Sequence, residues 1–213
     1  MSLEIRTLGE RASQHITADS DVTEVTHMVS ERLDIACGLT LQPGWTGMDV
    51  ADVKCPEGAK YIHHNVLSFP WPFEDNSIYE ARCPHFVEHI PHTLVGSDPL
   101  KNGLVLFMEE LYRVMMPQGI VNIMCPYWTS QRAWQDPTHV RAITENTFKY
   151  FDPQWAASIG VGQYGFKTDF EILTTQLILE PEYEAKSEAA KQNAIRHFVN
   201  VVMDLNITMR KRK

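Results

Sequence analysis

The chain has 213 residues, of which 44% are hydrophobic and 22% charged, and its formal net charge is −8. This composition is typical of a folded globular protein and excludes an intrinsically disordered chain. The acidic balance disfavours non-specific binding to nucleic acid or to anionic lipid. We expect a single domain over residues 1–213, with residues 1–20 as a lead-in, because this length supplies one hydrophobic core.

Neither a membrane span nor a signal peptide is expected. The uncharged stretch Val114–Gln131 is interrupted by prolines and a glycine, and the N-terminus lacks an apolar h-region. The cysteines form no C-x-x-C pair, which predicts free thiols and a cytoplasmic location. They are Cys37, Cys55, Cys83 and Cys125.

Short apolar runs alternate with helical patterns along the chain, which predicts an α/β fold. The first five predicted strands are Arg32–Ala36, Thr46–Val50, Lys60–His63, Ser77–Arg82 and Gly119–Met124. A helix is predicted after Ser97, with Asp98 as its cap and Pro99 in its first turn. The last third predicts a strand over Phe170–Leu179, a helix over Pro181–Phe198 and an alternating strand from Val201, which would close the sheet with an antiparallel edge.

Five segments carry residues suited to ligand binding. Arg32–Gly38 is a strand that ends in small residues, so a ligand can approach its backbone at the sheet edge where open α/β sheets bind ligands. Trp45–Asp49 is a second strand, and its final carboxylate could accept hydrogen bonds from a ribose diol. The other three segments are His64–Asp75, Cys83–Ile90 and Glu110–Pro126.

Taken in order, these segments resemble the class I S-adenosylmethionine-dependent methyltransferases, over about Arg32–Pro126. The resemblance implies a Rossmann-like, seven-stranded, mostly parallel sheet with helices on both faces and an antiparallel last strand. It also implies S-adenosyl-L-methionine as the cofactor, bound by residues at successive strand ends. Those residues are Asp34, Ala36, Cys37, Gly38, Asp49, Val50, Asn65, Val66, Cys83 and His85.

The chain departs from the family pattern at several places, among them Tyr79 in the fourth strand, where an aspartate is common, and Gln118, which interrupts the usual P-G-G turn. Ala36 stands where the first loop glycine is usual, and an alanine there costs little if its φ stays negative. The segment between Gly38 and the second strand is too short for the usual helix, which we predict to be truncated or absent. Asn65 replaces the usual aspartate opposite the adenine amino group, although its side-chain oxygen can still accept that hydrogen bond.

Asp34 and Asp49 also have a structural interpretation, as turn or cap residues. For Asp49 the sequence places the carboxylate at a solvent-facing strand end. Replacing it is therefore predicted to weaken cofactor binding while leaving the cofactor-free chain almost as stable as before.

The segment His85–His89 matches the H-x-x-E-H signature of inverted zinc proteases. On a helix, His85 and His89 would share a face and could bind zinc. The flanking residues match the methyltransferase pattern instead, so we assign no metal ligand and expect no stoichiometric zinc. A metal-dependent hydrolase that uses these two histidines remains the weaker alternative.

The region 127–165 follows the fifth strand and is rich in aromatic residues. The resemblance places the acceptor substrate on this side. Asp136 and His139 could form a carboxylate–imidazole pair that acts as a general base, with His89 as a third candidate catalytic residue. The alternative is that Asp136 caps a turn and His139 packs the loop.

The resemblance implies a methyltransferase. The aromatic loop and the acidic net charge favour a small-molecule or sugar acceptor, at oxygen, with neither nucleic acid nor membrane as a partner. The N-P-P-Y-type signature of amino-group methylation on bases is absent. The second alternative is a fold relative that binds S-adenosylmethionine or its product without transferring a methyl group.

Overall fold

The computed structural model describes residues 5–6, 32–94 and 101–213. Eight strands form one sheet in the order β1-β4-β3-β2-β5-β6-β8-β7. Their bounds are β1 (Ile5–Arg6), β2 (Arg32–Ile35), β3 (Thr46–Asp49), β4 (Lys60–His63), β5 (Ile78–Pro84), β6 (Met115–Pro126), β7 (Phe170–Leu179) and β8 (Val202–Lys211).

All five α-helices of the described residues follow β5. They are α1 (Gly103–Val114), α2 (Arg132–Gln135), α3 (Pro153–Ser158), α4 (Pro181–Glu184) and α5 (Glu188–His197). Three single 3₁₀ turns lie at Val87–His89, Phe148–Phe151 and Gly162–Tyr164. Within these described segments, no helix has the length and apolar character needed to cross a bilayer.

The sheet is parallel from β4 through β3, β2 and β5 to β6. β8 runs antiparallel to both of its neighbours, β6 and β7, and the two-residue β1 is antiparallel to β4. The predicted seven-stranded sheet with an antiparallel last strand is confirmed as β2–β8. Because the parallel strands share one direction, their carboxyl ends meet at one edge, where such sheets bind ligands.

The connection between β2 and β3 contains no helix, as the sequence predicted. Instead, Cys37 and Leu41 fold back into a small apolar cluster with Cys55, Ala59 and Tyr61. Cys37 and Leu41 of this cluster pack closely against Gly47 of β3.

Two predicted helices differ from the structure. Helix α1 begins at Gly103, where the Asn102 side chain caps it by accepting a hydrogen bond from Leu104 N at 2.9 Å. The predicted Ser97–Pro99 start lies outside the described residues. The single helix predicted over 181–198 is wrong, because Ser187 caps a separate α5 and accepts a hydrogen bond from Ala190 N.

Strand β6 begins at Met115, directly after α1, and therefore includes residues before the predicted start at Gly119. The predicted lead-in, 1–20, lies outside the described residues except for Ile5–Arg6, which pairs with Tyr61 and Ile62 of β4. The main core lies against α1, whose apolar face is buried. Its largest fully buried side chains include Trp71, Phe73, Phe107 and Phe148, and all four cysteines are free and buried.

Candidate functional site

Asp49 closes β3 and connects two loops at the ligand edge of the sheet. Its Oδ2 accepts a hydrogen bond from Gly38 N at 2.8 Å, and its Oδ1 accepts one from Ala51 N at 3.0 Å. Tyr61 Oη donates to the Asp49 carbonyl from below. Asp49 is half-buried, and because its carboxylate accepts hydrogen bonds from the loop after β2 as well as from its own, we expect its loss to affect the cofactor-free chain as well.

The turn after β2 contains two left-handed residues, Ala36 at φ +53° and Gly38 at φ +48°. Ala36 N donates to Met48 O at 2.8 Å, which fixes the turn against β3. We expected an alanine at this position to cost little only if its φ stayed negative, but the φ of Ala36 is positive. An L-residue in this region carries a steric cost that glycine does not.

Asp34 is fully buried beneath this turn. Arg82 Nη2 lies 2.6 Å from Asp34 Oδ2, donates to Thr40 O at 3.1 Å and belongs to a guanidinium that stacks on Trp45 at 4.8 Å. Burial raises the pKa of Asp34 above its ordinary value, even though Arg82 favours the charged carboxylate. The Asp34–Arg82 pair thus ties β2, β5 and the loop together, a role that sequence reasoning missed.

The end of β4 forms a tight turn around Asn65 and Val66. The exposed Asn65 accepts a hydrogen bond from Leu67 N at 2.9 Å through its side-chain oxygen, while Val66 is buried and Val50 of the neighbouring loop is exposed. An amide oxygen has two lone pairs, so Asn65 keeps the capacity to accept one further hydrogen bond.

The segment after β5 is not the helix that the H-x-x-E-H spacing would need. Cys83 is fully buried and pairs with Ile123 in register, and His85 takes a left-handed φ of +51°. Only Val87–His89 form a 3₁₀ turn, so His85 and His89 do not share a helical face. His85 Nδ1 lies 3.6 Å from Glu88 Oε1, and interaction with this carboxylate raises the pKa of His85.

His89 instead lies against His139, which comes from the connection after β6. Their ring centroids are 4.5 Å apart and the rings meet edge to face. Together with Glu88 they form what we call the histidine cluster: Glu88, His89 and His139, each with a potential ligand atom within 4.8 Å of those of the other two. Sequence reasoning named both histidines but missed Glu88, although it stands at the fourth position of the H-x-x-E-H segment.

Asp136 contacts the cluster mainly through Thr138. Its Oδ1 accepts hydrogen bonds from Thr138 N at 2.8 Å and Thr138 Oγ1 at 2.6 Å, and these hold the pKa of Asp136 below its ordinary value. Its Oδ2 lies 3.9 Å from His139 Nε2, beyond hydrogen-bond distance. Asp136 therefore caps the turn, and its direct contact with His139 is electrostatic.

Backbone contacts join the two segments that supply the cluster. Val140 N donates to Glu88 O at 3.0 Å, and the Arg141 guanidinium donates to the carbonyls of Ile90 and Pro91. The part of the predicted acceptor-side region nearest β6 thus folds back over the end of β5. β5 is the immediate neighbour of β2 in the sheet, so the cluster and the Ala36–Gly38 turn lie at the same edge.

Comparisons with known proteins support the fold. No family model matches the chain, and no curated protein matches it by sequence. A SAM-dependent methyltransferase from Archaeoglobus fulgidus is similar over 88% of this chain and 88% of its own, with a TM-score of 0.55 and 16% identity. A methyltransferase from Mesorhizobium loti is similar over 86% of this chain and 92% of its own, with a TM-score of 0.51 and 9% identity.

At these identities the comparisons bear on architecture alone. The chain itself has the antiparallel last strand, β8, that the resemblance implies. The chain therefore has the fold of the class I S-adenosylmethionine-dependent methyltransferases.

Proposed function

We propose that the chain transfers a methyl group from S-adenosylmethionine to a hydroxyl oxygen of a small-molecule or sugar acceptor. The observation that carries this proposal is the histidine cluster, which follows β5 and β6 at the ligand edge of the sheet, where Gly38 follows β2 and Asp49 closes β3. The similar solved structures are themselves described as SAM-dependent methyltransferases, which supports the choice of cofactor.

The residues at the ends of β2, β3 and β4 fit such a cofactor. An ionised carboxylate has about four lone-pair sites, and Asp49 uses one on each oxygen for Gly38 N and Ala51 N. The remaining two could accept the hydroxyls of a ribose. Asn65 keeps one acceptor position for an adenine amino group, and the left-handed turn at Ala36 and Gly38 presents backbone rather than bulky side chains. Cys37, Val66 and Cys83 are buried beneath these groups, so we propose a packing role for them.

The histidine cluster fits an oxygen acceptor. A bound cofactor would supply an electrophilic methyl group, so the protein has to orient the acceptor and remove its proton. His139 is our candidate proton acceptor: its Nδ1 lies 3.3 Å from Ala133 O, which can only accept, so Nε2 is the nitrogen left without hydrogen. An imidazole in this state can take a hydroxyl proton as the methyl group is transferred.

The surface beside the cluster fits a flat or partly apolar acceptor. Trp134 is 63% exposed and Trp128 45% exposed, and Trp134 Nε1 donates to Trp128 O at 3.0 Å. Both belong to the segment that precedes His139. Exposed indole faces are surfaces on which sugars and planar molecules can pack, and the net charge of −8 disfavours nucleic acid, so we favour a small molecule or sugar over nucleic acid.

Calorimetric titration with S-adenosylmethionine and with S-adenosylhomocysteine tests the cofactor. We expect one binding site per chain for each, and the absence of both would overturn the proposal. Release of S-adenosylhomocysteine in the presence of a panel of sugars and phenols then tests transfer. In an active pair, His139→Ala and His139→Gln should both lower turnover by about 10²–10⁴-fold with cofactor affinity nearly unchanged, because glutamine cannot accept the proton.

The non-catalytic alternative has one observation in its favour, the left-handed Ala36 in the cofactor turn. It predicts cofactor binding in calorimetry without turnover for any acceptor in the panel. Wild-type turnover with a single acceptor would exclude it.

A further inference from the structure

We infer that Glu88, His89 and His139 bind one divalent transition-metal ion, Zn²⁺ or a first-row neighbour, with coordination positions left open for an acceptor hydroxyl. A ligand atom of each residue lies within 4.8 Å of those of the other two. Ligands about 2.1 Å from a tetrahedral ion are roughly 3.4 Å apart, so small side-chain rotations would bring all three onto one ion. Two imidazoles and one carboxylate are a common ligand set for catalytic metals that keep an open position.

The hydrogen bonds behind both rings fix the tautomer that a metal requires. His89 Nδ1 lies 2.9 Å from Thr138 Oγ1, whose own hydrogen is donated to Asp136 Oδ1 at 2.6 Å. Thr138 therefore accepts from His89, so His89 carries its hydrogen on Nδ1. His139 does the same toward Ala133 O. Both rings thus have an unprotonated Nε2, and metal-binding histidines almost always donate their other N–H in this way.

Glu88 supplies the second, independent observation. Its residue is only 2% exposed, and its Oε2 is buried without a hydrogen-bond partner among the described residues. A buried carboxylate oxygen left without a partner is costly, and a cation would offset that cost. The Val140 N to Glu88 O hydrogen bond holds the two ligand-bearing segments together before any ion is bound.

The expectation of no zinc was drawn from the H-x-x-E-H pair His85 and His89, and the site inferred here has a different ligand set. The left-handed His85 and the 3₁₀ turn after it replace the helix, so the second histidine of the site comes from the 136–141 connection and not from His85. Proton acceptance and metal binding both need the lone pair of His139 Nε2, so they are alternative states of the cluster. In the metal-free chain His139 would take the acceptor proton, whereas an ion would lower the pKa of a coordinated acceptor hydroxyl, which would then lose its proton to solvent water. That use of the ion rests on the proposed function, whereas its binding does not.

Titration of metal-free protein with Co²⁺ and with Zn²⁺ tests the site without any cofactor or acceptor. We expect one ion per chain by calorimetry and, for Co²⁺, the visible absorption of a nitrogen and oxygen ligand set. His89→Ala, His139→Ala and Glu88→Gln should each weaken binding by at least about tenfold, and Thr138→Ala by about 10–100-fold through the orientation of His89. His197→Ala, which removes an exposed histidine on α5, is the matched control and should bind like the wild type.

Absence of Co²⁺ and Zn²⁺ binding by the wild-type protein would overturn the inference, and so would equal binding by the folded His89→Ala/His139→Ala double variant. Thermal melts establish that each variant is folded, and Glu88→Gln keeps the side-chain volume if the alanine variants are unstable. Failure of this inference is distinguishable from failure of the proposed function. Cofactor binding without metal binding overturns only the metal site, and metal binding without cofactor binding overturns only the proposed function.

Discussion

Ala36 and Gly38 have similar left-handed φ values in one turn, but only one of them is glycine. An L-residue in this conformation costs about 1–2 kcal/mol relative to glycine. Glycine also loses more conformational entropy on folding, which offsets part of the stability that it would gain here. We therefore expect Ala36→Gly to raise the free energy of unfolding by about 0.5–1 kcal/mol, measured by urea denaturation.

The reverse substitution two residues later is the matched control. No atom lies within 4 Å of a Cβ added at Gly38, so Gly38→Ala changes the backbone preference alone. It should lower the free energy of unfolding by a similar amount. An Ala36→Gly variant that is less stable than the wild type would contradict the strain that we assign to this turn.

The Asp49 carboxylate is expected to contribute both to the stability of the folded chain and to cofactor binding. Asp49→Ala removes the acceptor for Gly38 N and Ala51 N, so we expect the free energy of unfolding of the cofactor-free chain to fall by about 1–3 kcal/mol. Cofactor affinity should fall as well, and calorimetry with urea denaturation separates the two losses. The exposed Asp52 lies in the same loop, and Asp52→Ala should change neither quantity. Unchanged stability in Asp49→Ala would show that the two loop hydrogen bonds contribute little.

At the residue scale, the sequence predicted which residues follow the strand ends at one edge of the sheet. It did not predict the contacts that their side chains make. The location of Asp49 and Gly38 at the same edge of the sheet was predictable, because parallel strands bring successive strand ends together. Glu88 was missed because the H-x-x-E-H spacing was interpreted as two histidines on one face of a helix. The structure has no helix there, since His85 is left-handed and only a 3₁₀ turn follows it. The Asp34–Arg82 pair was missed because two residues 48 positions apart meet only through sheet register.

At the element scale, prediction succeeded where the pattern was local and long. The strands and the apolar face of α1 follow from periodicity, which tertiary contacts did not override. The break between α4 and α5 depends on one cap, the Ser187 side chain, within a sequence of good helix-forming residues. The early start of β6 depends on pairing of Met115 with Ile78, a contact between distant parts of the chain.

Arg212, directly after β8, pairs with one carboxylate at the start of α3 and with another directly before β7. Its Nη2 lies 2.9 Å from Asp152 Oδ2, its Nη1 lies 2.7 Å from Asp169 Oδ1, and Asp152 also caps α3. Burial alone would raise the pKa of Asp152, but the hydrogen bonds from Arg212 outweigh it and hold this pKa below its ordinary value. A lowered carboxyl pKa stabilises the fold at pH values above the unfolded-state pKa of about 3.9, and that contribution is lost as the pH falls through the folded-state pKa.

Asp152→Asn keeps a capping side chain but loses the charge. We expect it to lower the free energy of unfolding by about 1–3 kcal/mol at pH 7, since hydrogen bonds to charged groups contribute in that range. The difference from the wild type should begin to shrink below about pH 3.9, where the unfolded wild-type chain takes up a proton at Asp152, and should disappear only below the lower pKa of Asp152 in the folded chain. Urea denaturation at pH 7 and at pH 3 measures the free energy of unfolding of the wild type and of Asp152→Asn. An equal difference between the two proteins at both pH values would contradict the role of the Asp152 charge.

At the scale of the whole molecule, cofactor binding should be visible as global stability. A ligand that binds only the folded chain at 100 times its dissociation constant adds about 2.7 kcal/mol. For a chain of this length, that corresponds to a rise in melting temperature of about 5–10 °C. We expect this rise with S-adenosylmethionine and with S-adenosylhomocysteine, but not with free methionine. A thermal shift experiment that shows no change at millimolar S-adenosylhomocysteine would count against the ligand edge as a cofactor site.

The position of β8 in the sheet determines when its neighbouring strands can pair during synthesis of the chain. β8 follows β7 in the sequence but lies between β6 and β7 in the sheet, and within the described residues β7 pairs only with β8. During translation, β7 therefore leaves the ribosome before its partner exists, and the outer edge of β6 stays open for the same period. Unpaired strand edges are templates for aggregation. A nascent chain stalled before Val202 would thus carry all the residues of the proposed cofactor and metal sites and still have two open strand edges.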